Sequence, residues 1–336
     1  MSLLTMKIPH AVLLIALSSA ISLSVDGRPR AVPITPLHLE EITMPGLDLE
    51  GIVVSMIYSE GKLVFGQFNG SRMFVVADVQ NGSCFSAVLE GRGPGEVVRP
   101  DFKSMEPSQG GFVFFDAYGP RQATLSDASI GISAPQKHIA IPHAMNGVVA
   151  FRGEYLDVSL QGDRELVAYN SAFTKRREVG KYPKWRHDPS WMPAFAYGKH
   201  LVSVSGKDKL FLFYNYYPQI RIYTDVDKRP KDISMDYDGK DSGPKNTYYV
   251  VKPVAGEDYV IALTYRGEQN SQRPELQVFN WDGLILARYE LDRVVHGMAV
   301  DFESGTLYTY NEAEPFSLYR AQIPFNIIKS ETIPGL

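Results

Sequence analysis

Residues 74–91 read FVVADVQNGSCFSAVLEG. An apolar, aromatic run ends on Asp78, a few turn residues follow, and a second strand-like run begins. The same order returns in FVFFDAYGPRQATLSD from Phe112, LVAYNSAFTKRREVGKY from Leu166 and FLFYNYYPQIRIYTDVD from Phe211. It returns again in LQVFNWDGLILARYELD from Leu276 and LYTYNEAEPFSLYRAQIP from Leu307. The pivots are Asp78, Asp116, Asn170, Asn215, Asn280 and Asn311. Asp and Asn hydrogen-bond their own backbone two residues on and tolerate tight turns, so each copy reads as a hairpin.

Successive pivots lie 38, 54, 45, 65 and 31 residues apart. Each interval leaves room for one or two further strands. Six units of four antiparallel strands, at a period scattered about 45 residues, describe a propeller. Radial repetition of this kind leaves only short, protected strand edges. A jelly roll or a pair of sandwiches would explain the strand content but not six similar hairpins. The expected fold is therefore all-β: one six-bladed β-propeller of four-stranded antiparallel blades over residues 35–328, with a linker at 21–34 and a tail at 329–336. The segment from Leu37 to Phe65 precedes the first hairpin, and little chain follows the last copy. An N-terminal strand is expected to complete the last blade and close the ring. The uneven spacing leaves the blade boundaries open.

Composition fits this reading. Aromatic residues make up 12% of the chain, with 19 Tyr and 17 Phe, and such side chains favour a half-buried pleated surface. The net charge of −4 gives no general attraction to nucleic acid, which calls for a basic stripe. Lys7, the apolar run Ala11–Leu17 and the small residues Ser18–Ser19–Ala20 form a signal-peptide pattern with cleavage after about Ala20. The apolar run is too short to span a membrane, which takes about 20 apolar residues. No cysteine follows it, so a lipobox anchor is not expected. The protein is expected to be exported, periplasmic or extracellular, and monomeric. Cys84 is the only cysteine, which excludes an intramolecular disulfide and suits a bacterial exported protein. Asn69-Gly70-Ser71 and Asn81-Gly82-Ser83 match a glycosylation pattern, but Asn-Gly reads first as a turn.

The first hairpin followed by GRGPGEV (91–97), the FNWDGLILARYELD hairpin and MAVDFESGTLYTY (298–310) together resemble the TolB-like six-bladed propeller family of exported bacterial proteins. The resemblance covers roughly residues 35–325, and G-R-G-P-G-E is its most specific piece. It implies fold and export but no settled activity. Many such proteins are lipoproteins, and this chain departs from them in lacking the acylated cysteine.

Known catalytic and cofactor motifs fail here. In EGRGPGEV the second glycine of a phosphate loop would need Lys and Ser or Thr after it, but Gly95 is followed by Glu96. No helix pattern follows Val97, so a dinucleotide fingerprint is excluded too. The string reads as a tight connection between blades whose charged groups, Arg92 and Glu96, are candidate ligand contacts. His138 and His143 lack metal-ligand spacing, and Asp236, Asp238 and Asp241 lack the order of a calcium loop. No G-x-S-x-G elbow occurs, and Cys84 beside Phe85 reads as an inert packing residue. No cofactor and no metal site are expected.

The connection KYPKWRHDPSWMPAFAY (181–197) is more suggestive, with Tyr182, Trp185, Arg186, His187, Asp188 and Trp191. Aromatic rings beside charges suit stacking on a sugar or anchoring a partner. The tryptophans suit filling the gap between two blades somewhat better. Two functions follow as expectations: a non-catalytic binding module for a glycan, peptide or envelope partner, or a calcium-dependent lactonase or hydrolase with its site at the central channel.

Overall fold

In the computed structural model, the described residues are 32–134, 146–159, 163–184, 196–235, 247–265, 273–313, 316–325 and 328. The signal-peptide pattern, His138, His143 and the Asp236–Asp241 segment lie outside them.

The pivots behave as their chemistry dictates. Asp78 Oδ1 accepts the amides of Gln80 (3.0 Å) and Asn81 (2.9 Å). Asp116 Oδ1 accepts Tyr118 N at 2.8 Å, and Asn170 Oδ1 accepts Lys175 N at 3.0 Å. Asn280 Oδ1 accepts Asp282 N and Leu284 N, and Asn311 Oδ1 accepts Ala313 N. Asn215 is the exception, since its buried Oδ1 takes no hydrogen bond among the described residues.

Six sheets form around these turns. Blade one is β3 to β6 (Ile52–Ser59, Lys62–Phe68, Phe74–Asp78, Ser83–Ala87). Blade two is β7 to β10 (Asp101–Ser108, Gly111–Asp116, Gly119–Leu125, Ile130–Ile132). Blade three is β11 to β14 (Val149–Phe151, Glu154–Val158, Leu166–Asn170, Arg176–Val179). Blade four is β15 to β18 (Lys199–Val202, Leu210–Tyr214, Gln219–Tyr223, Lys231–Ser234). Blade five is β19 to β22 (Val254–Ala255, Tyr259–Thr264, Glu275–Asn280, Ile285–Leu291). Blade six is β23 to β25 (Gly297–Asp301, Thr306–Asn311, Ser317–Gln322) with β2 (Glu40–Ile42) as its outermost strand. This is the expected six-bladed β-propeller.

The hairpins are one per blade, but they are not the same hairpin. Asp78, Asn170 and Asn280 end the third strand of blades one, three and five, while Asp116, Asn215 and Asn311 end the second strand of blades two, four and six. That alternation explains why the spacings run short, long, short, long, short.

Closure occurs as expected. β2 pairs antiparallel with β25, placing Glu40 opposite Arg320, and the two side chains form an exposed bidentate ion pair at 2.9 and 3.1 Å. Just before it, β1 (Ile34–Leu37) pairs in parallel with β22, giving blade five a fifth strand. This departs from a uniform four-stranded pattern because the chain runs along the outer edge of blade five on its way to blade six. Between β1 and β2, Leu39 is fully buried in the core shared by those two blades, and its amide is held by Asp292 Oδ1 at 3.1 Å.

Apolar clusters fill the gaps between successive blades around the ring. The junction of blades two and three differs. Its buried apolar residues are Phe115 and Val148, backed by Tyr155 and Phe173. Buried polar groups supplement them: Asp101 Oδ2 accepts Gly147 N (2.8 Å) and Val148 N (3.1 Å), while Asp157 Oδ1 accepts Asn146 N (3.1 Å).

Leu39→Ala is expected to cost about 2–5 kcal/mol, lowering Tm by roughly 5–15 °C. Glu40→Ala, which removes an exposed ion pair, is expected to cost about 1 kcal/mol or less. Thermal unfolding followed by circular dichroism checks both; equal effects would mean that the strap's exposed edge, and not Leu39, locks the ring.

Candidate site in the central channel

Each blade points its first strand at the ring axis. Around the axis lies a cavity of about 610 Å³, lined from all six blades. Its walls are largely apolar, with Met56, Met105, Val202, Val251 and Met298 among them. Seven titratable side chains also line it: Tyr58 on β3, Lys103 and Glu106 on β7, His200 on β15, Lys252 just before β19, His296 just before β23, and Tyr310 on β24.

Lys103 Nζ donates to Asn146 Oδ1 at 3.1 Å. Lys252 belongs to blade five, yet its Nζ donates to the carbonyl of Met105 in blade two at 2.9 Å. Those blades lie opposite each other in a ring of six, so the side chain crosses the channel. Burial pushes both ammonium groups below their ordinary range; Asp101 opposes this for Lys103, and Glu106, then Asp101, opposes it for Lys252. Neither lysine makes an ion pair among the described residues. Burial pushes the Glu106 carboxyl up, and the charge of Lys252 opposes that rise.

His200 Nε2 lies 3.0 Å from the carbonyl of Val250. A carbonyl only accepts, so Nε2 carries the proton and Nδ1 keeps its lone pair. Burial, then Lys103, holds the imidazole down to about 3, so it is neutral at any physiological pH. Among the described residues, no three His, Cys, Asp or Glu side chains gather as a metal set.

Of the residues anticipated from sequence, Arg92, Glu96 and Tyr182 fall outside this lining. In EGRGPGEV, Glu96 turns inward, and its Oε2 accepts Gly93 N at 2.6 Å. A Cβ on Gly91 or Gly93 would meet that carboxylate at 2.1 or 2.9 Å, so these glycines make room for it. Gly95 has φ +78°, the left-handed region that favours glycine. The string is a self-closed bend between blades one and two, with Arg92 exposed on its surface.

Tyr182 lies at the junction of blades three and four. Its hydroxyl donates to Ser159 O at 3.1 Å, and its ring centroid is 4.5 Å from that of Tyr197. Beneath it, buried Glu165 accepts the Tyr214 and Tyr223 hydroxyls and pairs with Arg221 at 3.0 Å; Arg221 also donates to Lys181 O at 2.6 Å. Arg92, Glu96 and Tyr182 do not line the cavity. Trp185, Arg186, His187, Asp188 and Trp191 lie outside the described residues. Cys84 is half-buried in β6, and burial raises its thiol, which suits packing over reactivity.

Sequence reasoning missed Lys103, Glu106, His200 and Lys252. The available signal was a charged residue at the head of an otherwise apolar first strand, as in DFKSM, YGKHLV and VVKPV.

No protein-family model matches the chain, and no curated protein does. Among solved structures, a member of the DUF4221 family from Bacteroides vulgatus is 14% identical, with a TM-score of 0.53 over 86% of this chain and 98% of that one. A candidate exported protein from Bacteroides fragilis is 12% identical, with a TM-score of 0.54 over 87% and 96%. These likenesses are of fold: a six-bladed propeller. Regucalcin from Agrobacterium tumefaciens is 9% identical at a TM-score of 0.49, over 86% and 97%.

Asp101 and Asp157 yield a pH prediction. Burial, then Asp101, pushes the Asp157 carboxyl up to about 7, against an unfolded value of about 3.9. Between those values the folded chain holds a proton that the unfolded chain has released. Stability is therefore highest below pH 4 in this respect and declines as pH rises through 7. Asp157→Asn keeps the Oδ1 acceptor and removes the decline. At pH 8 the variant is expected to be more stable by roughly 2–4 kcal/mol, with the advantage vanishing near pH 4. Urea unfolding at both pH values checks this; a variant less stable at pH 8 refutes it.

Proposed function

We propose that the protein is an exported six-bladed propeller that acts as a non-catalytic binding module, seating a small ligand or the terminal group of a larger one in its central channel. The observation that carries this reading is the cavity of about 610 Å³, whose apolar wall holds a few polar groups. Small-molecule sites have this size and this make-up. A glycan or a peptide fits the reading by inserting one end.

Engagement of His200 by a backbone carbonyl, and not by a hydroxyl it could activate, supports binding over chemistry. Among the described residues, the His200 ring bonds the Val250 carbonyl and no hydroxyl. The calcium-dependent alternative fits less well, because Lys103 and Lys252 would repel a divalent ion entering beside Glu106. Export rests on the N-terminal pattern and on the likeness to the Bacteroides fragilis protein. Among the described residues no helix is long and apolar enough to cross a membrane. The resemblance of GRGPGEV to TolB-like propellers supports the same class.

The connection 181–197 leaves an outer strand for the next inner strand, as does the connection that carries Lys252. By strand direction the described ends of both connections meet the same end of the ring.

A thermal-shift screen of glycans, peptides and divalent ions tests it. At least one ligand is expected to raise Tm, and Ala150→Trp, placed where an exposed alanine lines the cavity, is expected to abolish that shift. If Trp185→Ala and Trp191→Ala abolish it while Ala150→Trp does not, the site is the connection and not the cavity.

A further inference from the structure

Two ammonium groups face one cavity, and neither has a carboxylate within ion-pair distance among the described residues. Burying a charge without a counter-charge is costly. Each lysine now spends a donor on a neutral acceptor: Asn146 Oδ1 for Lys103, and the Met105 carbonyl for Lys252. An ammonium has three donors, so each keeps capacity for a further partner.

We propose, resting on the binding reading above, that the cavity is built for an organic anion, a carboxylate on an apolar body, held between Lys103 and Lys252. Two lysine ammonium groups on one wall, without an ion-pair partner among the described residues, set the sign of the ligand's charge. Glu106, His200, His296, Tyr58 and Tyr310 are the other titratable groups on the cavity wall. Burial pushes the Glu106 carboxyl up, and the charge of Lys252 opposes that rise. Wall chemistry sets the rest: Met56, Met105, Val202, Val251 and Met298 suit a hydrocarbon or aryl body. The low-dielectric wall also makes the lysine–carboxylate attraction stronger than it would be in water.

Lys252 has the larger consequence. Its side chain crosses the channel to reach the Met105 carbonyl, which holds Nζ in the channel with two donors left for a carboxylate. Lys103 stays anchored by Asn146 and fixes one side of the site.

The test uses the mature full-length protein and isothermal titration with octanoate and 3-phenylpropanoate, each against its primary amide. The carboxylates are expected to bind at least about tenfold more tightly than the amides. Lys252→Met and Lys103→Met are each expected to weaken carboxylate binding at least about tenfold while amide binding stays unchanged. Glu106→Gln, which removes the competing carboxyl, is expected to bind the carboxylates equally or more tightly; circular dichroism establishes that each variant is folded. Equal binding of amide and carboxylate by the unmodified protein overturns the charge assignment and leaves the binding reading standing. So does a neutral ligand whose binding Ala150→Trp blocks while both carboxylates fail. If both carboxylates fail and Ala150→Trp alters the binding of no compound in the wider screen, the binding reading falls with it.

Discussion

A strap of nine residues, Ile34 to Ile42, holds the ring shut, and the rest of the architecture depends on it. A sheet edge exposes unpaired backbone groups that invite pairing with another chain. In a ring of blades the critical edge is where the last blade must meet the first. Here blade six takes its outermost strand, β2, from the start of the chain, so its edge is satisfied by covalent continuity with blade one. On the way, β1 covers the edge of blade five, and Leu39 drops into the core between the two. One short segment thus ties three consecutive blades. The central channel exists because this closure holds all six inner strands at a common axis.

The six hairpins were readable because Asp and Asn at the pivot have a local job that leaves a local mark. The side-chain oxygen captures amides two to five residues ahead, as at Asp78, Asn170 and Asn280. Nothing in that capture distinguishes the turn after a second strand from the turn after a third. The repeat could therefore be counted from sequence while its phase could not. The alternation of phase accounts for the uneven spacing, and the propeller count survives because both kinds of hairpin occur once per blade.

The channel site was hidden for the opposite reason. Lys103, His200 and Lys252 lie in three different blades, and each local sequence is only an apolar strand with one charge near its head. Their relation exists only after the ring closes. EGRGPGEV shows the converse trap. It stands out in sequence because its glycines accept the Glu96 carboxylate and a left-handed backbone, both of which serve the bend itself. A dense local motif marked local geometry, and scattered single residues made the cavity.

Lys103 links that cavity to the junction where apolar packing is sparsest. Its Nζ bonds Asn146, whose amide is held by Asp157, while Asp101 on the same strand grips the next two amides. Other junctions are sealed by broad aromatic and aliphatic clusters, whereas this one supplements Phe115 and Val148 with three backbone-directed hydrogen bonds and a nearby cation. The positive charge of Lys103 eases the ionisation of Asp101 and simultaneously faces the channel. Replacing it by an apolar residue would relieve the cavity of a buried charge but leave Asp101 and Asp157 to repel each other with less compensation. The same charge therefore serves the channel wall and the seam behind it, which gives a physical reason for a lysine to occupy an otherwise apolar inner strand.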